Sequence, residues 1–241
     1  MLKVSLILGA VAALADVAGG AVLVRARGVE RYLRYFVALG AGFLMATALL
    51  EMAPESMRLN ARVGPALIMA GYCVMHLLEH TINAHFHYGE ETHRAEFVSA
   101  HTSYSVLGGL SVHALFDGVA IASGFALTNW LGWLIFLAIL LHKAPEGFTM
   151  ASVMLAAGRG RGTAFSSAVV LAAATLAGVL AIQLTPSWVP YGLPLSAGVA
   201  LYVAATDLVP EVNREPGIGM ALVFFAGVGA FLLMRALLPE L

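Results

Sequence analysis

Charge is what this sequence has least of. Only 11% of its 241 residues are charged and 60% are apolar, where a soluble domain carries about 25% charge. That shortage excludes an ordinary water-soluble globule. A net charge of −1 gives no basic surface for nucleic acid. The single cysteine, Cys73, lies inside an apolar segment, so there is no disulfide framework and the redox compartment stays open. Nor does a His-Glu-x-x-His motif occur, the helical zinc signature of many hydrolases.

Long apolar runs fill the chain instead. A bilayer core is crossed by roughly 20 apolar residues, and eight such runs occur: 2–24, 33–53, 63–82, 103–127, 130–157, 163–184, 191–209 and 217–238. Lipid offers backbone groups no hydrogen-bond partners, so runs this long read as helices. The expected fold is an all-α membrane protein with eight transmembrane helices in one domain, 1–241. The first run continues to Val24 and ends in arginines, which favours a span over a cleaved leader.

Arginine placement sets the orientation. The odd-numbered connections hold Arg25, Arg27, Arg31, Arg34, Arg94, Arg159, Arg161 and Arg214, against Lys3, Arg58, Arg62 and Arg235 on the other side. This bias puts the odd connections in the cytoplasm and both termini outside. One connection, 83–102, is long and polar. It carries His85, His87, His93 and His101 with three glutamates, and His76, Glu79 and His80 precede it. Such histidine-rich tracts bind metal, so His80, His85, His87 and His93 are candidate contacts on a cytoplasmic loop.

Gly40-AGFLMATALL-Glu51-MA-Pro54-Glu55 aligns without gaps to Ser196-AGVALYVAAT-Asp207-LV-Pro210-Glu211. The first lies in span 2, running outward, and the second in span 7, running inward. This predicts an inverted-topology repeat, spans 1–3 and 6–8, around a central pair of spans 4 and 5. Secondary transporters place their substrate site between such repeats.

The central pair carries the chemistry. His113-Ala-Leu-Phe-Asp117-Gly118 and His142-Lys-Ala-Pro-Glu146-Gly147 each set an acid four residues after a histidine. Residues i and i+4 share a helix face, and both histidines fall near mid-bilayer at 1.5 Å per residue. Ionisable groups there usually mark an ion path. Gly118 and Gly147 allow close helix contact at that level. Pro145 frees the Leu141 carbonyl and predicts a kink beside His142. Two imidazoles and two carboxylates suit Zn²⁺, Fe²⁺, Mn²⁺, Co²⁺ or Cd²⁺, whereas Mg²⁺ and Ca²⁺ prefer oxygen-only shells. The metal is then substrate, with no cofactor required. An intramembrane hydrolase using the same ligands, or a haem held by His113 and His142, are the rival readings. The adjacent carboxylates argue against haem, and the inverted repeat has no use in a hydrolase.

At these residues the chain resembles the ZIP (Zrt/Irt-like) family of divalent-metal transporters. The Pro-Glu endings at Pro54-Glu55 and Pro210-Glu211, the histidine-rich loop and eight spans with outside termini fit as well. The resemblance implies that His113, Asp117, His142 and Glu146 ligate the ion, with Met45 of span 2 as a thioether candidate. It places Asp207, and with it Glu211, along the cytoplasmic exit, and makes Glu51 and Asp16 further acids of the pathway. It also implies import into the cytoplasm, a homodimer and a plasma (inner) membrane location. Two positions depart from the family pattern: Ala114 and Lys143 stand where many members carry ligands of a second metal, and only Thr175 answers to a further carboxylate in span 6. The second site is therefore expected to be lost, with the Lys143 amine in its place.

Overall fold

The computed structural model describes residues 2–25, 30–82, 100–214 and 218–237, and among them every regular element is helical. The helices are α1 (Leu2–Arg25), α2 (Glu30–Thr47), α3 (Ala53–Leu59), α4 (Gly64–Ile82), α5 (Ala100–Leu127), α6 (Asn129–Ala156), α7 (Arg161–Leu184), α8 (Val189–Tyr202), α9 (Val209–Arg214) and α10 (Gly219–Leu237). Among the described residues, seven continuous stretches are long and apolar enough to cross a membrane. α4 is not among them, because His76, Glu79 and His80 in its last two turns lower its apolarity. Ile7, Leu14, Met69, Leu184, Phe225 and Leu237 are exposed. So much bare apolar surface is foreign to a soluble monomer and natural against lipid.

The helices form two groups. α1, α5, α6 and α7 pack on one another; α4 packs on α8, and α10 on α2. Contacts of α6 with α2 and of α5 with α8 join the groups, helped by Ser196 of α8, whose hydroxyl donates to the Phe116 carbonyl of α5 at 2.9 Å. α6 is central, with buried residues on every face. It starts at Thr128, which has an extended backbone and accepts the Leu131 N–H on its hydroxyl at 3.1 Å. That cap lets α5 turn directly into α6. At the far end Gly158 takes φ +73°, and the Gly158 and Arg159 amides bond back to Leu155 and Met154. A left-handed glycine closes the helix there and frees α7 to return.

One boundary differs from the sequence expectation. α5 begins at Ala100, so His101 belongs to its first turn rather than to the preceding loop. α6 continues through Pro145 as one helix, and Gly40 of α2 lies close to the Leu141 carbonyl that the proline leaves without a donor. Gly118 and Gly147 do allow close contact, Gly118 with α7 and Gly147 with α1. A Cβ on Gly118 would lie 1.9 Å from the Thr175 carbonyl of α7, and one on Gly147 2.0 Å from the Asp16 carbonyl of α1. The glycine after each acid thus admits an outer helix of the same group against the site.

Between α2 and α3 the chain widens into a π-turn, Ala48–Met52, and between α8 and α9 into another, Val203–Leu208. Each ends two residues before a proline (Pro54, Pro210), whose ring crowds the carbonyl four residues back and offers no N–H. A wider turn accommodates both problems. Glu51 and Asp207 lie within these turns, at positions that the two aligned sequence stretches share.

Candidate metal centre

His113 and Asp117 come from α5, and His142 and Glu146 from α6, each pair a helical turn apart. All four are buried, and one ligand atom from each lies within 4.8 Å of the others. Asp117 Oδ2 is the hub: His113 Nε2 is 3.3 Å away and His142 Nε2 3.4 Å. Glu146 Oε2 lies 3.9 Å from His113 Nε2. The imidazole centroids are 5.5 Å apart.

His142 Nδ1 donates to the Ala138 carbonyl at 2.9 Å. In the neutral ring this leaves Nε2 as the bare acceptor, facing a carboxylate oxygen that is also an acceptor. Both ring nitrogens of His113 and Glu146 Oε1 are buried without a hydrogen-bond partner. Buried acceptors facing one another are costly, and a cation between His113 Nε2, His142 Nε2 and the Asp117 and Glu146 carboxylates relieves that cost. The donor set and its orphaned atoms fit a divalent transition metal.

A cation of another kind is already beside them. Lys143, fully buried, places Nζ 2.9 Å from Asp117 Oδ2 and 2.7 Å from Glu146 Oε2. Asp16 of α1 presents Oδ2 3.6 Å from the same ammonium, and neither Asp16 oxygen has a hydrogen-bond partner. The amine is thus ringed by three carboxylates, one of them, Asp16, from a helix outside the α5–α6 pair.

The remaining candidates are more dispersed. Met45 is half-buried and packs against the apolar core. Glu51 pairs with Arg235 at 3.2 Å, and Glu211 with Arg214 at 3.1 Å. Asp207 is buried beside Thr206 and lines a cavity with Glu79, Met75, His113 and His142. Glu79 was not singled out from the sequence as a pathway residue. Its carboxylate accepts the Tyr202 hydroxyl at 2.7 Å, and an acid one turn from the end of an apolar span was the signal for it. His80 is exposed on the last turn of α4, its ring 4.1 Å from that of His76. His85, His87 and His93 lie outside the described residues.

The family model described as ZIP Zinc transporter matches residues 89–235, more than half of the chain. The chain belongs to the ZIP family. Zinc transporter ZIP9-A of Xenopus laevis is 29% identical over 180 residues, covering 68% of this chain and 58% of the relative. Zinc transporter ZIP9 of Micropogonias undulatus is 31% identical over 168 residues, covering 65% and 53%. Zinc transporter SLC39A7 of Homo sapiens is 28% identical over 143 residues, covering 54% and 30%. The chain therefore spans just over half the length of the ZIP9 relatives it matches. Family membership and the long apolar helices together make it an integral, multi-pass ZIP protein.

Proposed function

We propose that the protein carries divalent transition metal ions, zinc foremost, across the membrane into the cytoplasm, one ion at a time, on His113, Asp117, His142 and Glu146. One observation carries this reading: the bare nitrogens of His113 and His142 face the Asp117 carboxylate in a buried space, an arrangement that a cation relieves. The relatives' description as zinc transporters agrees with it. Cadmium, iron, manganese and cobalt share these ligand preferences. A half-buried Met45 on α2 is the candidate thioether.

Lys143 stands in for a second ion. It holds the two carboxylates that a second metal would share, while Ala114 and Thr175, both buried, offer no carboxylate or imidazole there. Inward movement is supported by the cavity that runs from His113 and His142 to Glu79 and Asp207, because the arginine bias puts the ends of α4 and α8 toward the cytoplasm. Asp207 and Glu211 line that exit, and Glu51 sits in the matching turn on the outer side. The paired π-turns favour the inverted repeat. α4 is the eighth span, since 19 residues reach about 28 Å at 1.5 Å per residue. Both termini are then outside, the histidine-rich loop is cytoplasmic, and the working form is a homodimer in the plasma membrane. A hydrolase with these ligands would need a free base beside bound water, and Glu146 is instead engaged by Lys143.

The test is zinc uptake into proteoliposomes, with binding measured alongside. The parent should bind one central ion per chain, and His142→Ala with Glu146→Ala should abolish uptake while leaving a folded protein. Uptake by that double variant at the parental rate would refute the assignment.

A further inference from the structure

Deep inside the protein three carboxylates surround one ammonium, and only two of them belong to the proposed metal site. The third, Asp16, comes from a different helix and is fully buried. Its oxygens have no hydrogen-bond partner although Lys143 Nζ is 3.6 Å away. An ionisable side chain held so deep by one long ion pair needs a reason. Local packing does not supply one, because α1 is seated here by glycines: a Cβ on Gly19 would lie 2.0 Å from the Ala144 carbonyl, and one on Gly147 2.0 Å from that of Asp16.

We propose that Asp16 is the counter-charge to which Lys143 withdraws when a divalent ion enters the site, so that Asp16 sets metal affinity without touching the ion. The inference rests on the metal-site reading above. An arriving cation needs Asp117 Oδ2 and Glu146 Oε2, the two oxygens that Lys143 now occupies. The ammonium must give them up without leaving the protein interior. Charge-assisted bonds settle at about 2.7–2.9 Å, so reaching Asp16 Oδ2 takes under about 1 Å of movement by a flexible four-carbon stem. The backbone of Asp16 cannot approach in its turn, being pinned against Gly147. With the ion bound, one ammonium and one dication face three carboxylates, and the formal charges cancel. Without Asp16, the ammonium and the dication would repel each other across two shared carboxylates. Asp16 is thus a positioning residue acting through Lys143.

Calorimetric zinc titration of the purified full chain in detergent tests this. Asp16→Asn should raise the Kd about 10–100-fold, the range for groups that act on a metal through its ligands. In a Lys143→Met background the same Asp16→Asn step should leave the Kd where Lys143→Met alone has it, because no ammonium remains to be received. Equal weakening in both backgrounds would make Asp16 a direct ligand and overturn the proposal. So would an Asp16→Asn protein that melts earlier but binds zinc with the parental Kd, the mark of a purely structural residue. The unsubstituted protein gives an independent reading: a cadmium-loaded crystal should show Nζ bonded to Asp16, with Asp117 and Glu146 on the metal. An ammonium still bonded to Asp117 and Glu146 beside bound cadmium would refute the exchange. Zinc binding that survives His142→Ala with Glu146→Ala is a separate outcome, and would remove the metal-site reading on which the inference stands.

Discussion

Lys143→Met keeps the unbranched stem, one atom shorter, and removes its charge, which isolates what the ammonium contributes. In the parent, Nζ lies 2.7 Å from Glu146, 2.9 Å from Asp117 and 3.6 Å from Asp16, and all four groups are buried. Taking one partner from a buried charge cluster costs about 3–5 kcal/mol, mostly because the opposite charges stay behind uncompensated. The metal-free variant should therefore lose that much stability, with three carboxylates left facing each other. Zinc should restore it. Binding stabilises by about 2.7 kcal/mol at 100 times Kd and about 4.1 kcal/mol at 1,000 times Kd, so saturating zinc offsets most of the loss. In the parent, zinc must first displace the ammonium from both carboxylates. The zinc-induced gain should accordingly be larger in the variant than in the parent. Thermal melts of detergent-purified protein, with chelator and with excess zinc, read both effects. A Lys143→Met protein that melts with the parent in chelator, or gains no more from zinc, would refute the view of Lys143 as a built-in cation at the site.

Ligation needs bare imidazole nitrogens and ionised carboxylates, so protons compete with metal. Zinc affinity measured by calorimetry should therefore fall as the solution is made more acid, and an affinity independent of pH would refute ligation by protonatable groups. Gly147→Ala places a methyl 2.0 Å from the Asp16 carbonyl, where overpacking costs about 1–3 kcal/mol. It should lower the melting temperature and weaken zinc binding together, since it pushes Asp16 away from Lys143. An unchanged melt and Kd would mean that the α1–α6 contact does not position the site.

The four candidate ligands were legible because their placement is almost wholly local. His113 with Asp117, and His142 with Glu146, are turn-spaced pairs, and the short link at Thr128 forces α5 and α6 to lie side by side. Apolar run length was enough to locate, among the described residues, seven stretches long and apolar enough to cross a membrane. Their ends were less legible. α5 starts at Ala100 because a helix can continue beyond the apolar run, and α2 and α8 extend through π-turns into α3 and α9 rather than stopping near Glu51 and Asp207.

What the sequence determined by itself was the chemistry: which side chains are buried in lipid-length helices, at what spacing, and with which excess of acid over base near the centre. Which acid meets which base was decided only by helix packing. Asp16 and Lys143 lie far apart in sequence and share no periodicity. They meet because Gly19 and Gly147 let the α1 and α6 backbones touch. Glu79 reaches Tyr202, and shares a cavity with Asp207, His113 and His142, only because α4 packs on α8. Spacing along one helix is set by its 3.6-residue turn, but the crossing of two helices depends on every small residue that permits close approach, and only the folded chain brings these together.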